Sequence, residues 1–361
     1  MNRYRAFFVL SFLLAAVFGK AQTQAEYTNP VLKVNCPDPT VLDDRERTGW
    51  FYVYSTQTTV DGLVNKDSSS ATGESEVINL PVYRSKDMIN WEFVCDGFPY
   101  GRPSWVEGSN LWAPDINYFD GKYVLYYALG KWGAIFQEGS GVAVSDSPTG
   151  PFIDKGKVVD FKSLGTLNSI DPNFFDDGEE KYILWGSLGG GIDIVRLSDD
   201  GLSVAEGAKK KHLSARNMEA AYLYKRDGFY YLFASKGSCC AEEESTYRLV
   251  VARSEDIEGP YVSPSGQKFT SLSYDHVILE ADRHGEFIGP GHNAQIITDS
   301  QGQDWMFYHS YWKGTGYKGR CLNLGPVFWD EEGWPYFKDG VPSGSGVKPV
   351  LQLDDHKKAY K

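Results

Sequence analysis

Cysteine is scarce in this sequence: five residues in 361, at Cys36, Cys95, Cys239, Cys240 and Cys321. Their odd number and uneven spacing match no zinc-binding pattern. Positive charge is also short, with 36 Lys and Arg against 48 Asp and Glu and a formal net charge of −12. Phosphate binding needs clustered cations, so a nucleic-acid partner is excluded. Long apolar runs are missing beyond the first twenty or so residues. No later segment is therefore expected to span a membrane as a helix.

The one apolar run lies in MNRYRAFFVLSFLLAAVFGKAQTQAEYTNP, from Ala6 to Gly19, behind Arg3 and Arg5. A short apolar stretch between a positive start and small residues is the pattern of a secretory signal peptide. It is expected to cover residues 1–21, with cleavage as late as 25; an uncleaved anchor helix is the alternative. No cysteine near the end of the run offers a lipid attachment point. The mature chain is expected to be exported, periplasmic or extracellular, and monomeric. An oxidising compartment permits disulfides. The adjacent Cys239 and Cys240 either pair with each other or remain two thiols.

Aromatics and turn formers are plentiful. Phe, Trp and Tyr make up 15% of the chain, with 23 Tyr, 10 Trp and 38 Gly. That mixture points to an all-β protein. The Trp and Tyr surplus suits stacking on sugar rings and suits a packed β core equally well.

Five segments repeat one plan: a polar residue, an aromatic-rich strand, a turn and a second aromatic strand. They are PDPTVLDDRERTGWFYVYST from Pro37, APDINYFDGKYVLYYA from Ala113, IDPNFFDDGEEKYILWGS from Ile170, MEAAYLYKRDGFYYLFAS from Met218 and GHNAQIITDSQGQDWMFYHS from Gly291. Four of the turns are tight and hold a glycine, as hairpins require; the first is longer and charged. A weaker hairpin follows each segment, such as LPVYRSKDMINWEFV or GRCLNLGPVFWDEEGWPYF. Four strands repeated five times predict a five-bladed β-propeller. It is expected to form one domain over residues 26–361, ending in the polar tail LDDHKKAYK.

In a propeller the first strand of each blade lines the central axis. The residues that open these strands are Asp38, Asp115, Asp171, Glu219 and His292. Their convergence in space would place several carboxylates in one funnel, and buried unpaired charge is costly without a purpose or a counter-ion. Paired carboxylates are the chemistry of glycoside hydrolysis, in which one donates a proton to the leaving oxygen and the other activates water. Glu219, beside Met218 and two alanines, suits the general acid, because an apolar setting raises a carboxyl pKa. Asp38, in the polar turn NCPDPTVL, suits the ionised base. Asp171 would tune and orient Glu219. Asp115, in LWAPDI, either faces the axis or bonds to neighbouring backbone. Trp112 before it is a sugar platform or a core residue. His292, in FIGPGHNAQI, is either packed or in contact with a calcium or sodium ion completed by oxygen ligands. No organic cofactor is implied.

The ordered set of motifs resembles glycoside hydrolase family 43, and within it the endo-arabinanase-like members. The resemblance rests on NPV and PDPTV, LWAPDI, NSIDPNFFDDGEEKYILWGS with GGIDIVRL, NMEAAYLYKRDGFYYLFAS with CC and TYRLVVARS, and FIGPGHN with YHSYW. It covers nearly all of the chain after the leader. It implies a five-bladed propeller and an inverting hydrolase of α-1,5-linked arabinan or its oligosaccharides. Asp38 is then the general base, Glu219 the general acid and Asp171 the pKa modulator. His292 is the contact of a central calcium or sodium ion, and Ser187 and Trp112 lie near the cleaved sugar. Two positions depart from the arabinanase pattern: Pro37 stands where a His usually precedes the base, and Ala221 where the acid motif often has proline.

An exo-acting α-L-arabinofuranosidase or β-xylosidase of the same family is the near alternative. The connections after the second strands should border the cleft. They carry the long polar stretch 57–79 in blade one, Trp132 and Phe136 in blade two, Cys239 and Cys240 in blade four, and Tyr311 and Trp312 in blade five. The blade-one stretch either walls off one end, favouring exo release, or is a surface insertion. A non-catalytic sugar-binding propeller would be expected to lack one of the three carboxylates, and a protein-interaction propeller needs no acidic funnel.

Overall fold

The computed structural model describes residues 26–61, 76–282 and 285–352. Residues 1–25, most of the blade-one connection and the tail from 353 lie outside the described residues, and so do the expectations that fall on them, the signal peptide among them. The five repeats fold as five antiparallel sheets. Blade one comprises Thr40–Asp44, Trp50–Tyr54, Pro81–Ser85 and Glu92–Asp96. Blade two comprises Asn110–Phe119, Lys122–Gly130, Gly139–Ser145 and Ile153–Asp160. Blade three comprises Asn173–Asp176, Lys181–Trp185, Asp193–Arg196 and Lys211–His212. Blade four comprises Met218–Arg226, Phe229–Lys236, Arg248–Ser254 and Val277–Leu279. In blade five the inner edge is split into Phe287–Gly291 and Ile296–Thr298; both pair with Asp304–Trp312, which is followed by Arg320–Trp329 and Pro335–Tyr336. The charged turn of blade one is a single helical turn, Arg45–Thr48. No helix among the described residues is long and apolar enough to cross a membrane.

The aromatic surplus fills the seams between blades. One buried cluster joins blades one and two through Tyr52, Tyr54, Leu125 and Tyr127. A second joins blades two and three through Tyr126, Phe174 and Trp185. Others join three to four, four to five, and five back to one. The last is capped by the N-terminal segment: Glu26–Thr28 pairs with Ser345–Val347, and Tyr27 Oη donates to the Leu324 carbonyl. This contact brings the two ends of the described chain together beside blade five.

A second fastening encircles the axis. Each blade presents one polar side chain that accepts a backbone N–H from the next blade. Ile116 N–H donates to Thr40 Oγ1, Phe174 N–H to Asp115 Oδ2, and Leu223 N–H to Asn173 Oδ1. Ile296 N–H donates to Tyr222 Oη, and Val41 N–H to Gln295 Oε1, which completes the circle. These buried bonds satisfy backbone groups that the inner strand edges would otherwise leave unpaired.

Candidate active site

Immediately above this ring, every blade bends through a non-glycine residue in the left-handed region: Asp38 (φ 51°), Ala113 (φ 43°), Asp171 (φ 55°), Ala220 (φ 56°) and His292 (φ 45°). Such backbone costs on the order of 1 kcal/mol or more at each residue and concentrates at functional sites. In blades one, three and five the bent residue is itself the candidate site residue. In blade four Glu219 precedes the bend, and in blade two only Ala113 occupies it. Asp115 lies two residues further on, past a break in strand register between Trp112 and Asp115. It therefore belongs to the ring below.

Of the two readings left open for Asp115, the structure shows the bonding to neighbouring backbone, and Asp115 does not line the cleft that holds the other carboxyls. Its carboxylate is 5% exposed and accepts bonds from Phe174 N–H, Asn117 Nδ2, Asn173 Nδ2 and Gln295 Nε2. Burial raises its pKa to about 6. The five opening residues thus split into two layers, and four of them share one cleft of about 350 Å³: Asp38, Asp171, Glu219 and His292.

Asp38 is held on several sides. Arg320 Nη1 donates to Oδ1 at 2.8 Å, Thr56 Oγ1 donates to Oδ2 at 2.7 Å, and His292 Nδ1 lies 3.2 Å from Oδ1. Burial would raise the Asp38 pKa. The Arg320 and His292 charges outweigh it and hold the carboxyl well below the ordinary carboxylate range. His292 responds in the opposite sense: burial works against its charge, but Asp38 raises it above the usual imidazole value. Behind them the Asp38 N–H donates to His309 Nδ1 at 3.0 Å. His309 is kept neutral by burial and by Arg320, and it stacks on Tyr247.

Around the other two carboxyls of the cleft the environment is different. Glu219 Oε2 accepts from Ser187 Oγ at 2.6 Å, and Asp171 Oδ2 accepts from Ala220 N–H at 3.1 Å. Burial pushes both carboxyls up. The Ser187 and Tyr247 hydroxyls partly offset this at Glu219, while the negative charges of Glu219 and Asp38 add to it at Asp171. The two carboxyls titrate as a pair and retain a proton above the ordinary carboxylate range. The cleft thus combines a carboxyl whose surroundings favour ionisation with a pair whose surroundings favour a proton, the division of labour that acid–base catalysis requires.

Trp112 lines the cleft, its ring 5.8 Å from Trp132, which is 75% exposed. The ring packs flat over Gly130, where a Cβ would come within 2.2 Å of it. Ser187 lines the cleft as well. Phe136 turns away onto Phe161, and neither Tyr311 nor Trp312 reaches the cleft wall. Cys239 and Cys240 form a disulfide that lines the cleft, whereas Cys36, Cys95 and Cys321 are free. Thr56, Tyr247, His309 and Arg320 escaped the sequence reading. His309 and Tyr247 fall inside YHSYW and TYRLVVARS, but His309 lies in a second strand and Tyr247 just before a third, so attention to the openings of first strands alone passes over them. Arg320 carries no local motif.

The family model for glycosyl hydrolases family 43 matches residues 27–335. The chain belongs to this family. It is 32% identical over 285 residues to the extracellular exo-α-(1→5)-L-arabinofuranosidase ArbA of Cellvibrio japonicus, covering 71% of this chain and 79% of that protein. It is 31% identical over 255 residues to the extracellular endo-α-(1→5)-L-arabinanase 1 of Bacillus subtilis, covering 67% and 78%. Among solved structures, the α-L-arabinanase of Cellvibrio cellulosa complexed with arabinohexaose superposes with a TM-score of 0.71 at 27% identity, covering 85% of this chain and 96% of that one. This family 43 chain is a glycoside hydrolase, and its five-bladed propeller is the expected architecture.

Proposed function

We propose that this family 43 enzyme is a secreted hydrolase of α-1,5-L-arabinofuranosidic bonds in arabinan or arabino-oligosaccharides. The observation that carries the chemistry is the arrangement of one cleft: Asp38 held by Arg320 and His292, with Glu219 bonded to Ser187 and Asp171 bonded to the Ala220 N–H beside it. The extracellular arabinan-active relatives support the substrate and the location.

In this reading Asp38 takes a proton from water as the water oxygen attacks the anomeric carbon. The bond from that carbon to the leaving oxygen breaks, and Glu219 gives its proton to the leaving oxygen. Asp171 and Glu219 share a proton above the ordinary carboxylate range, and ionisation of either one favours the proton on the other. Attack opposite the leaving group inverts the anomeric configuration. Trp112 and Ser187 border the sugar. Products from linear arabinan test the proposal, with aryl arabinofuranoside and aryl xyloside alongside. A ladder of oligosaccharides means endo attack, and a single short product means exo release. Cleavage of aryl xyloside alone overturns the arabinan reading.

A calcium or sodium ion near the axis belongs to the same proposal. Among the described residues no three metal-ligating side chains come together. The donor set therefore fits a hydrated ion touched by one imidazole rather than a protein cage. His292 Nδ1 faces Asp38, which leaves Nε2 for the ion, and His292 also lines a small cavity with Asp115, Asn173 and Gln295; ligation through Nε2 needs the neutral imidazole, so the ion would replace the positive charge of His292. When bound, the ion would supply positive charge beside the carboxylates. Titration calorimetry with calcium should show one site in the enzyme and none in His292→Ala; equal binding by both removes His292 from the site.

A further inference from the structure

We propose that the Cys239–Cys240 disulfide is a substrate platform, an apolar ledge on blade four against which a sugar ring of the bound chain rests. The proposal rests on the arabinan reading above. Both residues line the cleft that holds Asp38, Asp171 and Glu219, and the same cleft carries Trp112 and Trp132. Cys240 is exposed and Cys239 half-buried, so the pair is open to a ligand.

Stability does not account for the bond. A disulfide stabilises chiefly by closing a loop in the unfolded chain, and this one joins adjacent residues. The loop that bears it is anchored by other means. Gly237 adopts φ 102°, and a Cβ there would lie 2.3 Å from the Thr246 carbonyl. Ser238 N–H donates to Thr246 Oγ1, and Ser245 Oγ donates to the Ser238 carbonyl at 2.7 Å. Lys318 of blade five pairs with Glu242 at 3.2 Å. The disulfide is therefore presented on a fixed support, which limits the ordering cost of binding.

Its chemistry fits a sugar face. Disulfide sulfur is polarisable and makes no strong demand for hydrogen bonds. It can pack on the C–H side of a furanose while hydroxyls on the other side reach water. Tyr247, seven positions after Cys240, lines the same cleft, and its hydroxyl interacts with Glu219. A ring resting on the ledge is thereby set beside the proposed acid. Reduction by a dithiol breaks the S–S bond: two electrons and two protons pass to the cysteine sulfurs, and the reductant becomes a disulfide. The ledge is then replaced by two separately rotating thiols.

The test measures KM and kcat for arabinohexaose and for an aryl α-L-arabinofuranoside, using the full enzyme and Cys239→Ser/Cys240→Ser. For the hexaose the variant should raise KM about tenfold, or ~1.4 kcal/mol, with kcat and melting temperature close to those of the parent. The single-sugar substrate should change much less. Dithiothreitol should raise KM of the parent in the same way and leave the Ser variant unaffected. Unchanged KM in both the reduced parent and the variant overturns the platform. So does a joint fall in kcat, affinity and melting temperature on both substrates, which marks a loop brace. If the untreated enzyme cleaves no arabinoside, the substrate reading itself fails, and the platform falls with it.

Discussion

Replacing Ser187 by alanine isolates one contribution to the proton balance of the cleft. The Ser187 hydroxyl donates to Glu219 Oε2 at 2.6 Å inside a buried site. This bond favours the ionised carboxylate, against the burial that pushes Glu219 up. Hydrogen bonds to charged groups contribute about 1.5–3 kcal/mol, and one pKa unit corresponds to about 1.4 kcal/mol. Removing the hydroxyl should raise the apparent pKa of the Asp171–Glu219 pair by about one unit. An acid must be protonated to act, so the alkaline limb of kcat/KM against pH should move upward by that amount. The acid limb, set by Asp38, should stay in place. The assay is hydrolysis of linear arabino-oligosaccharides across the pH range, read as kcat/KM, which reports the free enzyme. An alkaline limb that stays put or moves downward refutes the assignment of Glu219 as the acid tuned by Ser187. A rise in KM with both limbs fixed would make Ser187 a sugar contact only.

Asp38→Asn and Glu219→Gln should each lower turnover by about a thousandfold while circular dichroism keeps the shape of the parent; Glu219→Gln should melt near the parent, whereas Asp38→Asn should melt lower because it leaves the Arg320 charge unpaired. Near-normal activity in either one defeats its assigned role. Arg320→Met leaves Asp38 without its strongest counter-charge, so the acid limb should move upward and stability should fall by about 3 kcal/mol. Because the Asp38 pKa is depressed in the fold, its stabilising effect is present above the ordinary carboxylate range and is lost as pH falls through the lowered value. Melting curves at descending pH should show that loss beginning at higher pH in the variant. Asp171 behaves in the reverse sense. Its raised pKa means that stability declines as pH rises from the ordinary carboxyl value to the raised one. Asp171→Asn should therefore melt above the parent at alkaline pH but not at acid pH. Asp115→Ala strands four donors in the ring and should cost about 2–4 kcal/mol, seen by urea denaturation, with KM unchanged.

The repeat of an opening polar residue, an aromatic strand and a glycine turn was enough to read five blades, because strand period and turn chemistry are local properties of the chain. The same pattern marked Asp38, Asp171, Glu219 and His292, which do share one cleft. Asp115 has the same appearance in sequence, in WAPDI beside NCPDP, yet it sits one layer down. A shift of two residues past the bend at Ala113 decides between catalysis and scaffold. No local propensity records that shift, since it depends on where the strand breaks register against its neighbour.

The sequence by itself determined the architecture, the family and the carboxylates, because each follows from patterns within some twenty consecutive residues. Tertiary structure alone decided which charges face one another. Arg320 reaches Asp38 across 282 positions of chain, and Tyr247 and His309 stack on each other although one precedes the third strand of blade four and the other lies in the second strand of blade five. The protonation states follow from those encounters. Whether a carboxyl serves as acid or base depends on burial and neighbouring charge, and both exist only once the five blades have closed around the axis.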